Sequence, residues 1–168
     1  MKITDLIDEQ AVVKTLAEWH HSEWSSLNPG GSVEKRIEKM QAYLAGHTVP
    51  KMFVCKEGGI LLGSAAIVSN DMDTRTDLSP WLASVYVNAE YRRKGIGSKL
   101  VAHVVKYAHS AGFSDLYLFT PNREKFYQSL GWFTISKEIY REQPVTVMQI
   151  KLIESSLSNS FHMSNDTC

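Results

Sequence analysis

The residues of this chain best suited to chemistry form a basic, glycine-containing turn. Two glycines, Gly95 and Gly97, stand between an apolar stretch, 81–87, and a strongly periodic segment, 95–110. Backbone N–H groups at such a turn, with the positive end of a following helix dipole, suit a pyrophosphate group. The glycines would let an anion approach the backbone closely. The residues predicted to hold it are Arg92, Arg93, Lys94, Gly95, Ile96, Gly97, Ser98 and Lys99.

Two common glycine-rich phosphate motifs do not fit this turn. A G-x-G-x-x-G dinucleotide fingerprint requires a third glycine at the position held by Leu100. A Walker A loop requires Gly-Lys followed by Ser or Thr, and no such run occurs in the chain. An ordinary helix start with solvated charges is the simpler alternative. The basic neighbours, the apolar stretch before the turn and the amphipathic segment after it together favour phosphate binding.

The pattern Arg92-x-x-Gly95-x-Gly97 resembles the acetyl-CoA signature of the GNAT superfamily of N-acetyltransferases. A second landmark of that family, F-Y-x-x-L-G-W/F, is matched by the run 126–132. In the family the tyrosine of this motif lies near the CoA sulfur, which implies that Tyr127 is the general acid toward the thiolate. A phenol O–H can donate that proton at neutral pH. The same run also fits a plain short helix with two buried apolar residues and a glycine cap.

The resemblance also gives a role to the apolar stretch that precedes the turn. In the family this strand diverges from its neighbour, and its backbone pairs with the pantetheine arm like an added strand. By position, Val85, Tyr86 and Val87 would supply those backbone groups, and a main-chain N–H there could polarise the thioester carbonyl. Asn122 is likewise implied in cofactor binding. A plain core strand would have the same sequence, so this assignment depends on the resemblance.

The general base is not supplied by the family pattern. Some GNAT enzymes use a glutamate early in this strand, but the matching position here is Trp81. The nearby acids are Asp71, Asp73 and Asp77, each of which also fits a turn-forming aspartate. As a group they could attract a protonated amine. We take Asp73 as the candidate base, and a base acting through water, or none beyond solvent, is the alternative.

The charges of the chain balance, with 18 Lys and Arg against 18 Asp and Glu, so nucleic acid and membrane partners are not expected. The two cysteines, Cys55 and Cys168, form neither a C-x-x-C pair nor a metal-binding spacing. A disulfide framework is therefore not expected, which favours a reducing compartment. No apolar run reaches transmembrane length, and the N-terminus lacks a signal-peptide core. A cytoplasmic protein without a metal is predicted.

Hydrophobic periodicity predicts the order strand, helix, helix, three strands, helix, strand, helix, two strands. This order fits an α/β fold with a mixed, mostly antiparallel central sheet flanked by about four helices, and it is the order of GNAT proteins. Asp8 and Ser32 are the predicted N-caps of the first two helices. A single domain should span 1–153, and the serine-rich segment 154–168 is predicted to be a disordered tail.

Aromatic residues and two histidines gather at the end of the first predicted helix. In GNAT folds this region often lines the acceptor pocket. We expect Trp19 to lie in the core and His20 and His21 to be exposed. Adjacent helical residues point apart, so this histidine pair does not suit one metal ion.

Together the resemblance and the residues predict an acetyl-CoA-dependent N-acetyltransferase in which the amine attacks the thioester directly. The expected acceptor is a small cationic amine, such as a polyamine, an amino sugar or an amino acid. A protein N-terminus or lysine is the alternative acceptor. A non-catalytic acyl-CoA-binding module and a nucleotide-binding domain are the alternative classes. Edge strands of this fold can pair between subunits, so a homodimer is one expectation.

Overall fold

The computed structural model describes residues 1–152, so the predicted tail, 154–168, lies outside the described residues. Within this range the chain forms one sheet of seven strands: β1 (Lys2–Asp5), β2 (Lys51–Glu57), β3 (Ile60–Val68), β4 (Trp81–Val87), β5 (Asp115–Thr120), β6 (Phe133–Tyr140) and β7 (Gln143–Lys151). The same range forms four α-helices: α1 (Val13–Trp24), α2 (Val33–Met40), α3 (Ile96–Ser110) and α4 (Glu124–Ser129). Short 3₁₀ turns join several of these elements.

The strands lie in the order β1-β2-β3-β4-β5-β7-β6. Every neighbouring pair is antiparallel except β4 and β5, which are parallel. Gly58 and Gly59, with φ of 56° and 80°, form the tight turn between β2 and β3. The predicted mixed, mostly antiparallel sheet with flanking helices is therefore confirmed.

The predicted caps of the first two helices differ in outcome. Ser32 accepts a hydrogen bond from the backbone N–H of Lys35 at 3.1 Å and caps α2 as predicted. Asp8 does not cap α1, so that prediction is wrong. Asp5 instead accepts a bond from the N–H of Ile7 and starts a 3₁₀ turn, which delays α1 to Val13.

Helix α3 packs its apolar stripe against the sheet. The buried members of the stripe are Ile96, Leu100, Val101, Val104 and Ala108, which confirms the periodicity of this segment. They belong to the same cluster as Leu82 of β4 and Leu116 of β5. Because each buried Leu or Val stabilises the fold by about 1.5–3 kcal/mol, this stripe fixes the start of α3 beside the end of β4.

Strand β4 parts from β5 soon after it begins. The only β4–β5 partners among the described residues are Trp81 and Tyr117, so the two strands diverge beyond that point. On the other side, the register with β3 shifts between Ser64 and Ala66, and Ser84 opposite has a φ of 51°. Such a bulge turns backbone groups out of the ladder. The predicted divergence of this strand is confirmed, and it opens a cleft in the middle of the sheet.

No helix within residues 1–152 is long and apolar enough to cross a membrane.

Candidate functional site

The cleft between β4 and β5 is continuous with a cavity of about 930 Å³. Its walls come from α1, α2, β4, the start of α3, the segment 118–123 and α4. One end lies at the glycine turn and the other lies between α1, α2 and the loop after β3. We call these the turn end and the far end of the cavity.

The turn end presents backbone donors. Gly95 has a φ of 78° and immediately precedes α3, while Arg93 has a φ of 63°. A side chain at Gly95 would meet no atom within 4 Å, so the need for glycine there is conformational rather than steric. The first helical bond of α3 runs from Lys99 N to Gly95 O. The N–H groups before it have no partner within the helix and can bind an anion.

The basic residues of the turn divide into two groups. Arg92 is held by the protein, since its Nε donates to the carbonyl oxygen of Val87 at 3.0 Å. Its guanidinium also lies 5.4 Å from the ring centroid of Tyr86. Arg93 lines the cavity and makes no hydrogen bond or ion pair with any residue in the described part of the chain. Arg93 is therefore the side chain of the turn that is free to bind a phosphate.

Tyr127 lies on α4 and lines the same cavity with 9% of its surface exposed. Its ring packs between Phe126 and Trp132, at centroid distances of 5.0 and 6.1 Å. Burial raises the pKa of Tyr127 to about 12, so the hydroxyl keeps its proton at neutral pH. Tyr127 can therefore act as a proton donor inside the cavity.

The structure gathers most of the predicted site residues around the cavity. Those that line it are Val85, Tyr86, Val87, Arg92, Arg93, Gly95, Ile96, Gly97, Ser98, Asn122 and Tyr127. Lys94 and Lys99 are not among the lining residues. The Nζ atom of Lys94 instead lies 5.4 Å from the ring centroid of Tyr91.

Asp73, the candidate base, does not line the cavity either. Its side chain is 71% exposed and pairs with Arg141 at 3.4 Å. An exposed carboxylate on the outside of the loop is poorly placed to take a proton from a substrate in the cleft. The structure thus separates Asp73 from the residues with which it was expected to act.

A chain of hydrogen-bonded polar groups connects α1 to the bulge of β4. The hydroxyl of Ser64 donates to the carbonyl oxygen of Ser84 at 3.0 Å. The Nε2 of His20 lies 2.9 Å from the Oγ of Ser64. Because the only hydroxyl proton of Ser64 is already donated to Ser84, Nε2 of His20 must be the donor in this contact. The other ring nitrogen, Nδ1, is then an unprotonated acceptor.

His20 is fully buried, so the expectation that it would be exposed is wrong. Burial, and secondarily the charge of Arg36, lowers the pKa of His20 to about 3, so the ring is neutral. Its Nδ1 is buried and has no hydrogen-bond partner within residues 1–152. Trp19 is only half-buried and packs on Tyr86 at a centroid distance of 5.4 Å.

Two charged side chains at the far end face the cavity without a direct partner. Arg36 of α2 and Asp71 of the loop after β3 are both half-buried and both line the cavity. Neither forms a hydrogen bond or ion pair through its side chain with another described residue. Burial lowers the pKa of Arg36 and raises the pKa of Asp71 to about 6. The negative charge of Asp71 raises the pKa of Arg36, and the positive charge of Arg36 lowers that of Asp71.

Sequence patterns do not identify His20 or Arg36 as site residues, and they include Asp71 only in a group of three acids that could attract a protonated amine. Asp71 had been grouped with Asp73 and Asp77, but nothing in the local pattern distinguishes the member that faces the cavity. The cluster at 19–24 did carry a usable signal, because that region was expected to border the acceptor pocket. The packing of α2 on α1, which places Arg36 in the lining of the cavity, is a long-range result that no short motif encodes.

No group of three or more His, Cys, Asp or Glu side chains is placed to hold a metal ion in the described range, 1–152.

Several solved structures share the fold of this chain. The chain superposes on the yncA acetyltransferase of Salmonella typhimurium, solved with acetyl-CoA, with a TM-score of 0.68, 19% identity and coverage of 90% of this chain and 94% of that chain. It superposes on an aminoglycoside 6'-N-acetyltransferase complexed with coenzyme A with a TM-score of 0.71, 16% identity and coverage of 91% and 98%. A spermidine N-acetyltransferase from Vibrio cholerae, in complex with CoA and spermine, gives a TM-score of 0.70, 16% identity and coverage of 90% and 95%.

No curated protein matches the sequence significantly. The family itself is established by sequence, because a model of the Acetyltransferase (GNAT) family matches residues 13–132, which include both landmarks. This match confirms the predicted family, and the superpositions confirm the predicted fold. The chain belongs to the GNAT family of acetyltransferases.

Proposed function

We propose that the protein transfers the acetyl group of acetyl-CoA to a primary amine by direct attack of the amine on the thioester. One observation carries this proposal: the divergence of β4 from β5 joins the basic glycine turn and the buried phenol of Tyr127 in a single cavity. An extended thioester could place its pyrophosphate at this turn and its sulfur near Tyr127.

The residues present suit acetyl-CoA as co-substrate. The free N–H groups at the start of α3 and the unpartnered guanidinium of Arg93 provide positive charge for the pyrophosphate. The edge of β4 that β5 leaves uncovered, at Val85, Tyr86 and Val87, offers backbone groups to an extended arm. Asn122, at the opposite side of the cleft, lines the same path.

The protein contributes positioning, polarisation and a proton. Backbone N–H groups released by the bulge at Ser84 can stabilise negative charge on the thioester oxygen. The hydroxyl of Tyr127 gives its proton to the departing thiolate. Holding both reactants in the cleft converts a bimolecular reaction into an effectively unimolecular one.

An acyl-enzyme is not part of this proposal. Cys55 is the one cysteine within the described residues, and it lies fully buried in β2. Burial raises the pKa of its thiol, which keeps it in the unreactive protonated form. Cys55 does not line the cavity, so it cannot reach the thioester.

The likeness to solved structures does not identify the acceptor amine. Structural neighbours with the same fold include an aminoglycoside acetyltransferase and a spermidine acetyltransferase, and their identity to this chain is 16% in each case. Fold likeness at that level does not transfer an acceptor. A small primary amine is our choice, with a protein N-terminus or lysine as the second candidate. A homodimer remains a prediction.

Two measurements test the function. Calorimetric titration should give micromolar-range binding of acetyl-CoA that weakens in Arg93→Gln, and thiol release in a panel of amines should show turnover. Absence of acetyl-CoA binding by the intact protein contradicts the proposal. Binding without transfer to any small amine or peptide in the panel supports the alternative of a non-catalytic acyl-CoA-binding module, and competition by ATP but not CoA supports a nucleotide-binding domain.

A further inference from the structure

The charges at the far end of the cavity do not suit a purely cationic acceptor. The cationic residues that line it there are Arg36, Lys39 and Arg141, and the acidic ones are Glu23 and Asp71. Glu23 faces Arg92 at 3.9 Å, so it already has a cationic neighbour. A polyamine placed here would meet more positive than negative charge.

The three cations differ in what they already bind. Arg141 donates to the carbonyl oxygen of Leu27 at 2.8 Å and to Oδ1 of Asn28 at 2.9 Å, and it also pairs with Asp73. Lys39 is exposed to solvent. Arg36 alone combines partial burial with a guanidinium that has no hydrogen-bonding or ion-pair partner anywhere in residues 1–152.

An unpartnered, partly buried guanidinium is costly unless a ligand supplies the counter-charge. Burial lowers the pKa of Arg36, although the nearby Tyr43 and Asp71 raise it. Arg36 presents a planar fork of N–H donors that matches a carboxylate in a bidentate arrangement. The missing partner is therefore expected to be an anionic group of the substrate.

Within the part of the chain that the structure describes, Asp71 lacks a close cation, as Arg36 lacks a close anion. Its half-buried carboxyl faces the cavity, and no cation in the described chain lies within ion-pair distance of it. The positive charges of Lys39, Arg141 and Arg36 act on it from a greater distance. A substrate ammonium would supply the close cation that the protein does not.

We propose, on the basis of the proposed acetyl transfer, that the acceptor is a small amine that also carries a carboxylate, as an amino acid does. Arg36 binds the carboxylate, and Asp71 binds the ammonium and accepts its proton. The neutral ring of His20, which also lines the cavity, adds no positive charge there.

The substrate ammonium loses two protons in this reaction, and the thiolate of CoA gains one. The ammonium gives one proton to Asp71, and the resulting amine nitrogen bonds to the thioester carbonyl carbon. The nitrogen loses a second proton to water as the carbon–sulfur bond breaks. Tyr127 protonates the thiolate and is reprotonated from water. The products are the amide, free CoA and one proton released by Asp71.

Matched substrate pairs test the carboxylate site. Each pair consists of an amino acid and the amine that remains without its α-carboxylate: lysine and cadaverine, tyrosine and tyramine, ornithine and putrescine, with the remaining common amino acids and short acidic and basic peptides beside them. Release of CoA thiol gives kcat/KM for each. We expect the amino acid of the productive pair to be favoured by about tenfold or more.

Variants then assign the preference to a residue. Arg36→Gln should abolish the preference for the carboxylate by raising KM for the amino acid, with little effect on its decarboxylated partner. Lys35→Gln is the matched control, because Lys35 lies next in α2, is exposed, and is not among the lining residues of the cavity. It should keep the preference unchanged.

The outcomes separate this inference from the proposed function. Faster transfer to amines without a carboxylate, transfer to peptides alone, or equal losses on both members of a pair in Arg36→Gln overturns the inference while acetyl transfer stands. Failure to bind acetyl-CoA overturns the proposed function itself. Tight binding of acetyl-CoA with no transfer to any amino acid overturns the acceptor assignment.

Discussion

The Nε2 atom of His20 in α1 lies 2.9 Å from the Oγ atom of Ser64 in β3, although the two residues are 44 positions apart. Ser64 in turn donates to the carbonyl oxygen of Ser84 at the bulge of β4. The three residues therefore join the wall of the far end of the cavity to the strand that is proposed to hold the thioester. The contact between His20 and Ser64 is fully buried, since both residues are 0% exposed.

The first prediction concerns this link. Ser64→Ala removes the acceptor of His20 Nε2–H and leaves a buried N–H without a partner. We expect a loss of about 1–3 kcal/mol in the free energy of unfolding, measured by chemical denaturation. Ser79→Ala is the control, because the Ser79 hydroxyl also donates to a backbone carbonyl, that of Ser69, but at an exposed position. Equal, small decreases in the free energy of unfolding of both variants would show that the buried contact stabilises the fold no more than an exposed hydrogen bond does.

The contrast between the turn and the far end explains what the sequence could predict. The turn at 92–98 and Tyr127 belong to short motifs, and the resemblance of those motifs to a known family implies where they lie. α3 was predicted within one residue at its start because its apolar stripe is regular. These features depend on neighbours along the chain.

The far end depends on neighbours that are distant in sequence. His20 was expected at the surface, because a polar residue on a short helix usually lies there, and only its pairing with Ser64 of β3 accounts for its burial. Asp71 and Asp73 are equivalent in the local pattern, yet Asp71 lines the cavity, whereas Asp73 does not line it and pairs with Arg141. The predicted cap at Asp8 is wrong because Asp5, earlier in the chain, caps a 3₁₀ turn that precedes α1.

The second prediction separates the two arginines of the turn. Arg93→Gln should weaken acetyl-CoA binding by about tenfold or more in calorimetry, because a charge-assisted bond to phosphate contributes about 1.5–3 kcal/mol. The stability of the free protein should hardly change, because Arg93 makes no hydrogen bond or ion pair within the described chain.

Arg92→Gln should behave differently. It removes the bond to the carbonyl oxygen of Val87 and the contact with the ring of Tyr86, so thermal unfolding should move to lower temperature. Lys94→Gln, outside the cavity lining, should have the smallest effect on affinity. A larger loss of affinity in Lys94→Gln than in Arg93→Gln would contradict the assignment.

The third prediction concerns the proton donor. Tyr127→Phe keeps the ring that packs between Phe126 and Trp132 but removes the hydroxyl. We expect kcat to fall by about 10²-fold or more, as is typical for loss of a general acid, with acetyl-CoA affinity nearly unchanged. Steady-state thiol release and calorimetry measure the two quantities.

Tyr117→Phe is the control for this change. Tyr117 lies on β5, pairs with Trp81 and is not among the residues that line the cavity. Its turnover should match that of the unmodified protein. Unchanged kcat in Tyr127→Phe would refute the role of general acid, whereas a parallel loss of acetyl-CoA affinity would point to a binding role instead.

The fourth prediction follows from the raised pKa of Asp71. Burial raises this pKa from 3.8 to about 6, against the opposing effects of Lys39, Arg141 and Arg36. Between about pH 4 and about pH 6, the carboxyl of Asp71 is therefore protonated to a greater extent in the folded protein than in the unfolded chain. The contribution of Asp71 to the free energy of unfolding therefore falls as the pH rises from about 4 to about 6, and it stays unfavourable above that.

Asp71→Asn should consequently be more stable than the unmodified protein at pH 7, by on the order of 1 kcal/mol, and the gain should vanish near pH 4. Its activity should fall, and kcat/KM of the unmodified protein should rise as the pH passes through about 6, a limb that the variant lacks. Asp73→Asn, exposed and outside the cavity lining, should show neither change. A variant that is stabilised yet fully active, with the same pH profile, would show that Asp71 is a buried charge without a part in the reaction.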